Sequence, residues 1–314
     1  VAGSGEVTAL TSRAEDYLRL RRALGTKLTD NGPLLASFTS YLDERAETVV
    51  TVNTTLAWAA RDQPASRSQL ARRIAVVRGF AAYLRAFDPA TEVPPGYLLP
   101  AGPTRAAPHI YTEQEIVALI GAARRLLPEL HGAGLATLIG VMATAGLRTG
   151  EALRLDRDDV ELTTGTLSIL KSKWGKSRRI PLHASAVNAL DDYLVVRDRC
   201  VRRPVDPALL MSSRGARLTP AMLHRWFPVV RADARIMAGP GQRPPRLYDL
   251  RHTFAVRTLQ DWHAAGIDVR RQLPVLSTYL GHVNPNNTYW YLQATPELMG
   301  VLADRVAAYL DGGQ

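Results

Sequence analysis

Between Asp88 and Pro108 the chain carries Pro89, Pro94, Pro95, Pro100, Pro103 and Pro108 together with Gly96 and Gly102. Proline removes a backbone donor and clashes with the preceding helical turn, so neither a continuous helix nor a central strand survives this run. A chain of 314 residues interrupted in this way is expected to fold as two bodies, residues 1–87 and 109–314, joined by a linker at 88–108.

The two bodies differ in periodicity. Before the linker, apolar residues recur at helical spacing: Tyr17, Leu18, Leu20 and Leu24, then Leu34, Leu35, Phe38 and Leu42, a short piece from Thr54 to Ala60, and Leu70 to Leu84. They predict a domain of about four helices. Its last helix carries Arg67, Arg72, Arg73, Arg78 and Arg85, which suit either a DNA-facing surface or a solvated face. After the linker, Thr112 and Glu115 predict a capping box, and Gly134 to Ala145 a helix stopped by Gly146. The period then changes. Val160 to Leu162, the turn Thr163-Thr164-Gly165, and Leu167 to Leu170 predict a hairpin, with Arg179 to Leu182 as a third strand. Helical spacing returns from about Ala184, apart from a short strand expected at Leu209 to Met211. The expected fold is mainly α with a small antiparallel β-sheet.

The formal charge of +10 is spread over both bodies: to Pro108 there are 13 Lys plus Arg against 10 acids, and beyond it 26 against 19. A protein enclosing a polyanion needs basic surface on both sides of a groove, which favours DNA as partner. No window supplies the roughly 20 apolar residues of a membrane helix, and Val1 to Leu10 lack the pattern of a secretion signal, so a cytoplasmic protein with no membrane partner is expected. The single cysteine, Cys200, is expected as a small core residue. The seven histidines include no close pair at helix spacing with an acidic partner, and no phosphate-binding glycine loop is visible, so neither metal nor cofactor is expected.

Chemistry gathers in the second body. In Ala145-Gly146-Leu147-Arg148-Thr149-Gly150-Glu151, an arginine stands between a helix-stopping glycine and the next helix, where backbone N–H groups and a guanidinium fork can hold an anion. Alone, such a residue is more often a surface or salt-bridged arginine. This segment resembles the first arginine box of the tyrosine recombinases of the phage-integrase family, and the other boxes follow in order. Lys171-Ser172-Lys173-Trp174-Gly175-Lys176-Ser177-Arg178-Arg179-Ile180-Pro181 resembles the family's lysine-bearing β-turn, which implies Lys173 as catalytic lysine, with Lys171 as the alternative. Tyr248-Asp249-Leu250-Arg251 resembles the His-x-x-Arg box, with Arg251 as second arginine and tyrosine where histidine is usual. His252 lies about 100° around a helix from Arg251 and does not obviously replace it. Leu280-Gly281-His282 resembles the Leu-Gly-His box, and Tyr291 follows at the nucleophile's position, with Tyr289 and Tyr279 as rivals.

The resemblance implies a core-DNA-binding domain and an α+β catalytic domain closing on a duplex as a C-shaped clamp. It implies a site-specific recombinase that cuts and rejoins DNA through a 3′-phosphotyrosyl bond, in integration, excision or transposition. The catalytic set is Arg148, Lys173, Tyr248, Arg251, His282 and Tyr291, with Lys171, Lys176, Arg178, Arg179, Arg72 and Arg73 as DNA contacts. Double-stranded recombination sites are the expected partner, bound by a homo-tetramer on two duplexes; Pro296 to Leu310 could form a helix docking on a neighbour or on its own domain. The early start of the helical domain suggests that an additional arm-binding domain is missing, and Tyr17 to Lys27 with Thr288 to Leu292 is similar to transposon-associated members. A type IB topoisomerase and a catalytically silent DNA-binding relative are the competing readings, the second kept open by Tyr248.

Overall fold

The computed structural model describes residues 9–26, 28, 30–61, 66–99, 107–170, 177–239, 241–282, 284, 286–293 and 300. The chain divides into two compact units, Val1–Ala106 and Ala107–Gln314.

The first unit holds α1 (Ala9–Ala23), α2 (Asn31–Asp43), α3 (Val52–Ala60) and α4 (Arg67–Leu84). Thr51 opens α3 by accepting from the Thr54 N–H, and Ser66 with Gln69 closes a capping box on α4. The apolar stripes meet in one core of Leu35, Phe38, Leu42, Trp58, Val77 and Phe80, in which the Phe38 and Trp58 rings pack edge to face at 5.1 Å. Residues 88–99 also belong to this unit. Val93, Leu98 and Leu99 pack against its core, and Arg78 donates to the Pro94 and Pro95 carbonyls at 2.6 and 2.9 Å. Proline leaves these carbonyls without a helical or sheet partner, and an arginine fork satisfies them.

The second unit contains α5 (Glu113–Arg124), α6 (Glu129–Ala145), α7 (Thr149–Arg154), β1 (Val160–Glu161), β2 (Thr166–Ile169), β3 (Arg178–Pro181), α8 (Ala184–Cys200), α9 (Pro220–Asp233), α10 (Asp249–Ala264), α11 (Val269–Leu280) and α12 (Asn286–Tyr289), followed by a 3₁₀ turn at Trp290–Gln293. Helix α6 is apolar nearly all round, so it runs through the core and packs against α5, α8 and α10. The sheet is antiparallel in the order β1-β2-β3, with Leu167 opposite Ile180 and Ile169 opposite Arg178. Leu167, Ile169 and Ile180 face the core. A separate cluster of Ala255, Val256, Leu259, Leu273, Leu276 and Leu280 joins α10 to α11 and receives Tyr291 and Leu292.

Two expectations fail. Cys200 is exposed: the buried stripe of α8 runs through Ala186, Leu190, Tyr193, Leu194 and Arg197, and helical spacing carries it past position 200 to Val201. Leu209 to Met211 is not a strand but forms only the isolated bridges Asp156 to Ala208 and Met211 to Arg217 on its flanks. Among the described residues no helix is long and apolar enough to cross a membrane.

Candidate active site

Two helices of the second unit end on left-handed glycines, α6 on Gly146 (φ 60°) and α11 on Gly281 (φ 67°). Such ends leave backbone carbonyls without helical partners and carry the negative pole of the helix dipole, so they attract cations. Arg251, on α10 and fully buried, donates to the Gly146 carbonyl at 2.7 Å and to the Leu280 carbonyl at 2.7 Å. One planar fork thus pins both helix ends. Arg148, just before α7, donates to the Gly281 carbonyl at 2.8 Å. The positive φ of Gly281 is a conformation that favours glycine, and a Cβ there would also lie 2.9 Å from an Arg178 nitrogen.

Glu151 organises the same cations. It is only 3% exposed. Its carboxylate accepts from Arg148 Nη1 at 2.7 Å and from the Arg148 backbone N–H at 3.0 Å. Arg178 reaches both of its oxygens, at 3.2 and 2.9 Å, and Arg251 Nη1 lies 3.8 Å away. Burial pushes the Glu151 carboxyl up, but hydrogen bonds from Arg178 and the Arg148 backbone, with both positive charges, outweigh it and bring it down to about 2. Among the described residues three guanidiniums therefore face one buried carboxylate, which leaves positive charge in excess there. Burial and the charge of Arg148 lower the Arg251 guanidinium from its ordinary value.

His282 follows Gly281, and its Nδ1 lies 2.7 Å from the Thr288 hydroxyl. Burial, then the charges of Arg251 and Arg148, lower its pKa to about 3, so the ring is neutral at pH 7. The ring stacks on Tyr291 at 6.2 Å. Tyr291 is 2% exposed, whereas Tyr289, two residues earlier, is 49% exposed and turned to another side. Tyr279 stacks on Phe254 at 5.5 Å, and burial raises its hydroxyl. Tyr248 caps the start of α10 half-buried, its ring edge to face with His252 at 5.1 Å.

Of the residues expected in the site, Arg148, Tyr248, Arg251, His282 and Tyr291 meet in this one region. Lys171, Lys173 and Lys176 lie outside the described residues, as do Lys27 and the segment Pro296 to Leu310. Arg178 turns inward onto Glu151, while Arg179, its neighbour on β3, is exposed. Arg73 donates to the Ala59 carbonyl at 2.7 Å and lies over the Trp58 ring, so its guanidinium is engaged within the first unit; Arg72 is exposed and pairs with Asp30 at 3.2 Å. The sequence reading missed Glu151, Thr288 and the contact of His252 with Tyr291, whose hydroxyl lies 3.1 Å from His252 Nδ1. For Glu151 a signal was present: it stands three residues after Arg148 at the start of a helix, the capping-box offset. Among the described residues no group of three or more His, Cys, Asp or Glu side chains could hold a metal ion.

The model of the phage integrase family matches residues 110–297. A putative integrase/recombinase, y4rB, of Sinorhizobium fredii is 39% identical over 91% of this chain and 93% of its own length. The tyrosine recombinase XerD of Mycobacterium leprae is 31% identical over 64% of this chain and 61% of its own. Among solved structures, the XerH site-specific recombinase in a post-cleavage complex with a palindromic difH substrate shares the fold with a TM-score of 0.65 at 18% identity, over 94% of this chain and 84% of that one.

Proposed function

This chain belongs to the phage integrase family, and on that footing we propose that the Tyr291 hydroxyl attacks a scissile DNA phosphate to give a 3′-phosphotyrosyl bond and a free 5′-hydroxyl. The protein is a site-specific recombinase of the tyrosine type. The observation that carries the assignment of its centre is the convergence of Arg148, Arg178 and Arg251 on Glu151 alone, beside Tyr291 and His282. A phosphodiester entering there supplies the missing negative charge.

The contacts of the described residues support the following roles, and the resemblance implies that of Lys173. Arg148 and Arg251 stabilise the non-bridging oxygens as charge builds in the phosphoryl-transfer transition state, and their carbonyl partners hold them in place before substrate arrives. A neutral His282 that accepts from Thr288 at Nδ1, 2.7 Å away, carries its proton on Nε2 and offers it to the phosphate. The Tyr248 phenol is a further donor. Lys173 protonates the departing 5′-oxygen. Because one phosphate ester is exchanged for another, rejoining by a partner strand's 5′-hydroxyl needs no nucleotide. Glu151 and Arg178 position the first arginine.

Residues 1–87, with 88–99 packed on their core, act as the core-DNA-binding domain and 109–314 as the catalytic domain. Arg72 and Arg179, both exposed, contact the DNA backbone, with Lys171 and Lys176 beside the lysine that serves the leaving oxygen. Four protomers act on two duplexes in the cytoplasm, on recombination sites of an integrating, excising or transposing element.

A duplex nicked beside the cleavage site tests this reading, because the short fragment released by cleavage diffuses away and traps the adduct. Covalent capture followed by joining to a second duplex is expected. Binding without capture would leave a silent DNA-binding protein, and capture with relaxation but no joining would leave a topoisomerase-like enzyme.

A further inference from the structure

Tyr291 must lose its hydroxyl proton to bond phosphorus, and a phenol with a reference pKa of about 10 keeps that proton at neutral pH. The tyrosine at position 248 is a poor acceptor for the same reason. Among the described residues, His252 meets the nucleophile, its Nδ1 lying 3.1 Å from the Tyr291 hydroxyl. We propose that His252 is the general base of the cleavage step, taking the Tyr291 proton at Nδ1. This assignment rests on Tyr291 being the nucleophile.

The surroundings of the ring suit the task. His252 is 3% exposed and shares α10 with Arg251, whose two carbonyl bonds fix that stretch of helix against the ends of α6 and α11. The rings of Tyr248 at 5.1 Å, Trp290 at 5.5 Å and Tyr291 at 5.5 Å pack around the imidazole at steep angles and hold it in one orientation. A general base works only within hydrogen-bond reach of the proton it removes, and this one is already there.

Among the described residues, the other proton acceptors nearby are committed elsewhere. Glu151 is locked between its arginines, and their charges make it a weak acceptor. His282 has Nδ1 on Thr288, and burial beside Arg251 and Arg148 makes its ring hard to protonate.

The step balances. The Tyr291 O–H proton passes to neutral His252, the tyrosine oxygen bonds phosphorus, and the P–O5′ bond breaks with its electron pair going to the 5′-oxygen, which takes a proton from Lys173. In rejoining, a 5′-hydroxyl bonds phosphorus and gives its proton back to Lys173, the P–O bond to Tyr291 breaks, and the imidazolium returns its proton to the tyrosine oxygen. On this reading the proton acceptor lies one helical turn beyond Tyr248, at His252, on the side of the nucleophile.

Single-turnover cleavage of the nicked duplex separates base from acid when the 5′-bridging oxygen is replaced by sulfur, since a thiolate leaves without a proton. His252→Gln is expected to cleave at least about a hundredfold more slowly on both substrates and to lose the rise of rate with pH expected of the natural protein. Lys173→Ala should recover on the sulfur substrate. Cleavage by His252→Gln within threefold of the natural rate with an unchanged pH profile overturns the proposal, as does its rescue by sulfur. Nitrogen-15 NMR of the natural protein and of Tyr291→Phe decides the matter even if His252→Gln does not fold. Nδ1 should be an unprotonated acceptor that loses its hydrogen bond in Tyr291→Phe, and a protonated Nδ1 at neutral pH in the natural protein overturns the proposal. Failure of the underlying reading looks different: no adduct with the natural protein, or an adduct that persists in Tyr291→Phe.

Discussion

In the first unit Arg73 and Arg78 each tie one segment to the next, donating to the carbonyls of Ala59, Pro94 and Pro95 from half-buried positions scattered along α4. In the second unit Arg148, Arg178 and Arg251 also bind backbone carbonyls or a carboxylate, but they crowd together, and Arg251 is wholly buried. The first arrangement satisfies each charge singly near solvent and needs nothing more. The second leaves like charges together in a low-dielectric place, a costly state unless an anion completes it. The difference teaches how to tell an arginine that staples from one that waits for substrate: by the company of other cations, not by its hydrogen-bond count.

Removing the buried staple of the second unit should have the largest effect. Arg251→Ala is expected to slow single-turnover cleavage by about a thousandfold, about 4 kcal/mol, because a preorganised donor to the transition state is lost. A fall of less than tenfold would place Arg251 with the arginines of the first unit. Glu151→Gln sharpens the comparison by removing the one carboxylate. It should cost about 3 kcal/mol of unfolding free energy in denaturant titrations, as for breaking one partner out of a buried pair. Added phosphate should stabilise this variant more than the natural protein; equal stabilisation of the two would mean that the cations are not short of negative charge.

Acid separates two groups of the same centre. Glu151 has its pKa lowered from 4.5 to about 2, so the stability it contributes is complete above about pH 4.5 and is lost as the pH falls toward 2. His282 is lowered from 6.5 to about 3, so its contribution is complete above about pH 6.5 and is lost as the pH falls toward 3. Glu151→Gln should flatten the stability profile only in the lower window, and a change confined to the range between about 4.5 and 6.5 would contradict this assignment. The smallest effect belongs to the first unit. Arg73→Ala should cost about 1 kcal/mol of stability, the worth of a single part-exposed hydrogen bond, and leave the cleavage rate of bound substrate within a few fold.

Much of this was legible in the sequence, and for physical reasons. Helix periods, the capping pairs at Thr112 and Glu115, and the glycine after Ala145 act over a few residues, so local reading finds them. The order of Arg148, Arg251, His282 and Tyr291 carried the family. What stayed hidden depends on contacts distant in sequence. Glu151 meets Arg178 across 27 residues, and His252 meets Tyr291 across 39, through the packing of α10 against the chain's last described turn. Judged on its own helix, His252 sits out of register with Arg251; only tertiary packing shows that the nucleophile lies on its side. Cys200 erred in the opposite direction, because an apolar neighbourhood in sequence was read as a buried position in space.

The central claim is that Tyr291, and no other tyrosine, becomes joined to DNA beside the arginine centre. Trapping the adduct on a nicked duplex, digesting it, and locating the modified peptide by mass spectrometry tests this directly. The account predicts phosphate-linked nucleotide on Tyr291, absent in Tyr291→Phe although that variant still binds the same duplex within a few fold. Nucleotide on the exposed Tyr289 or on Tyr279, or an undiminished adduct in Tyr291→Phe, would contradict it.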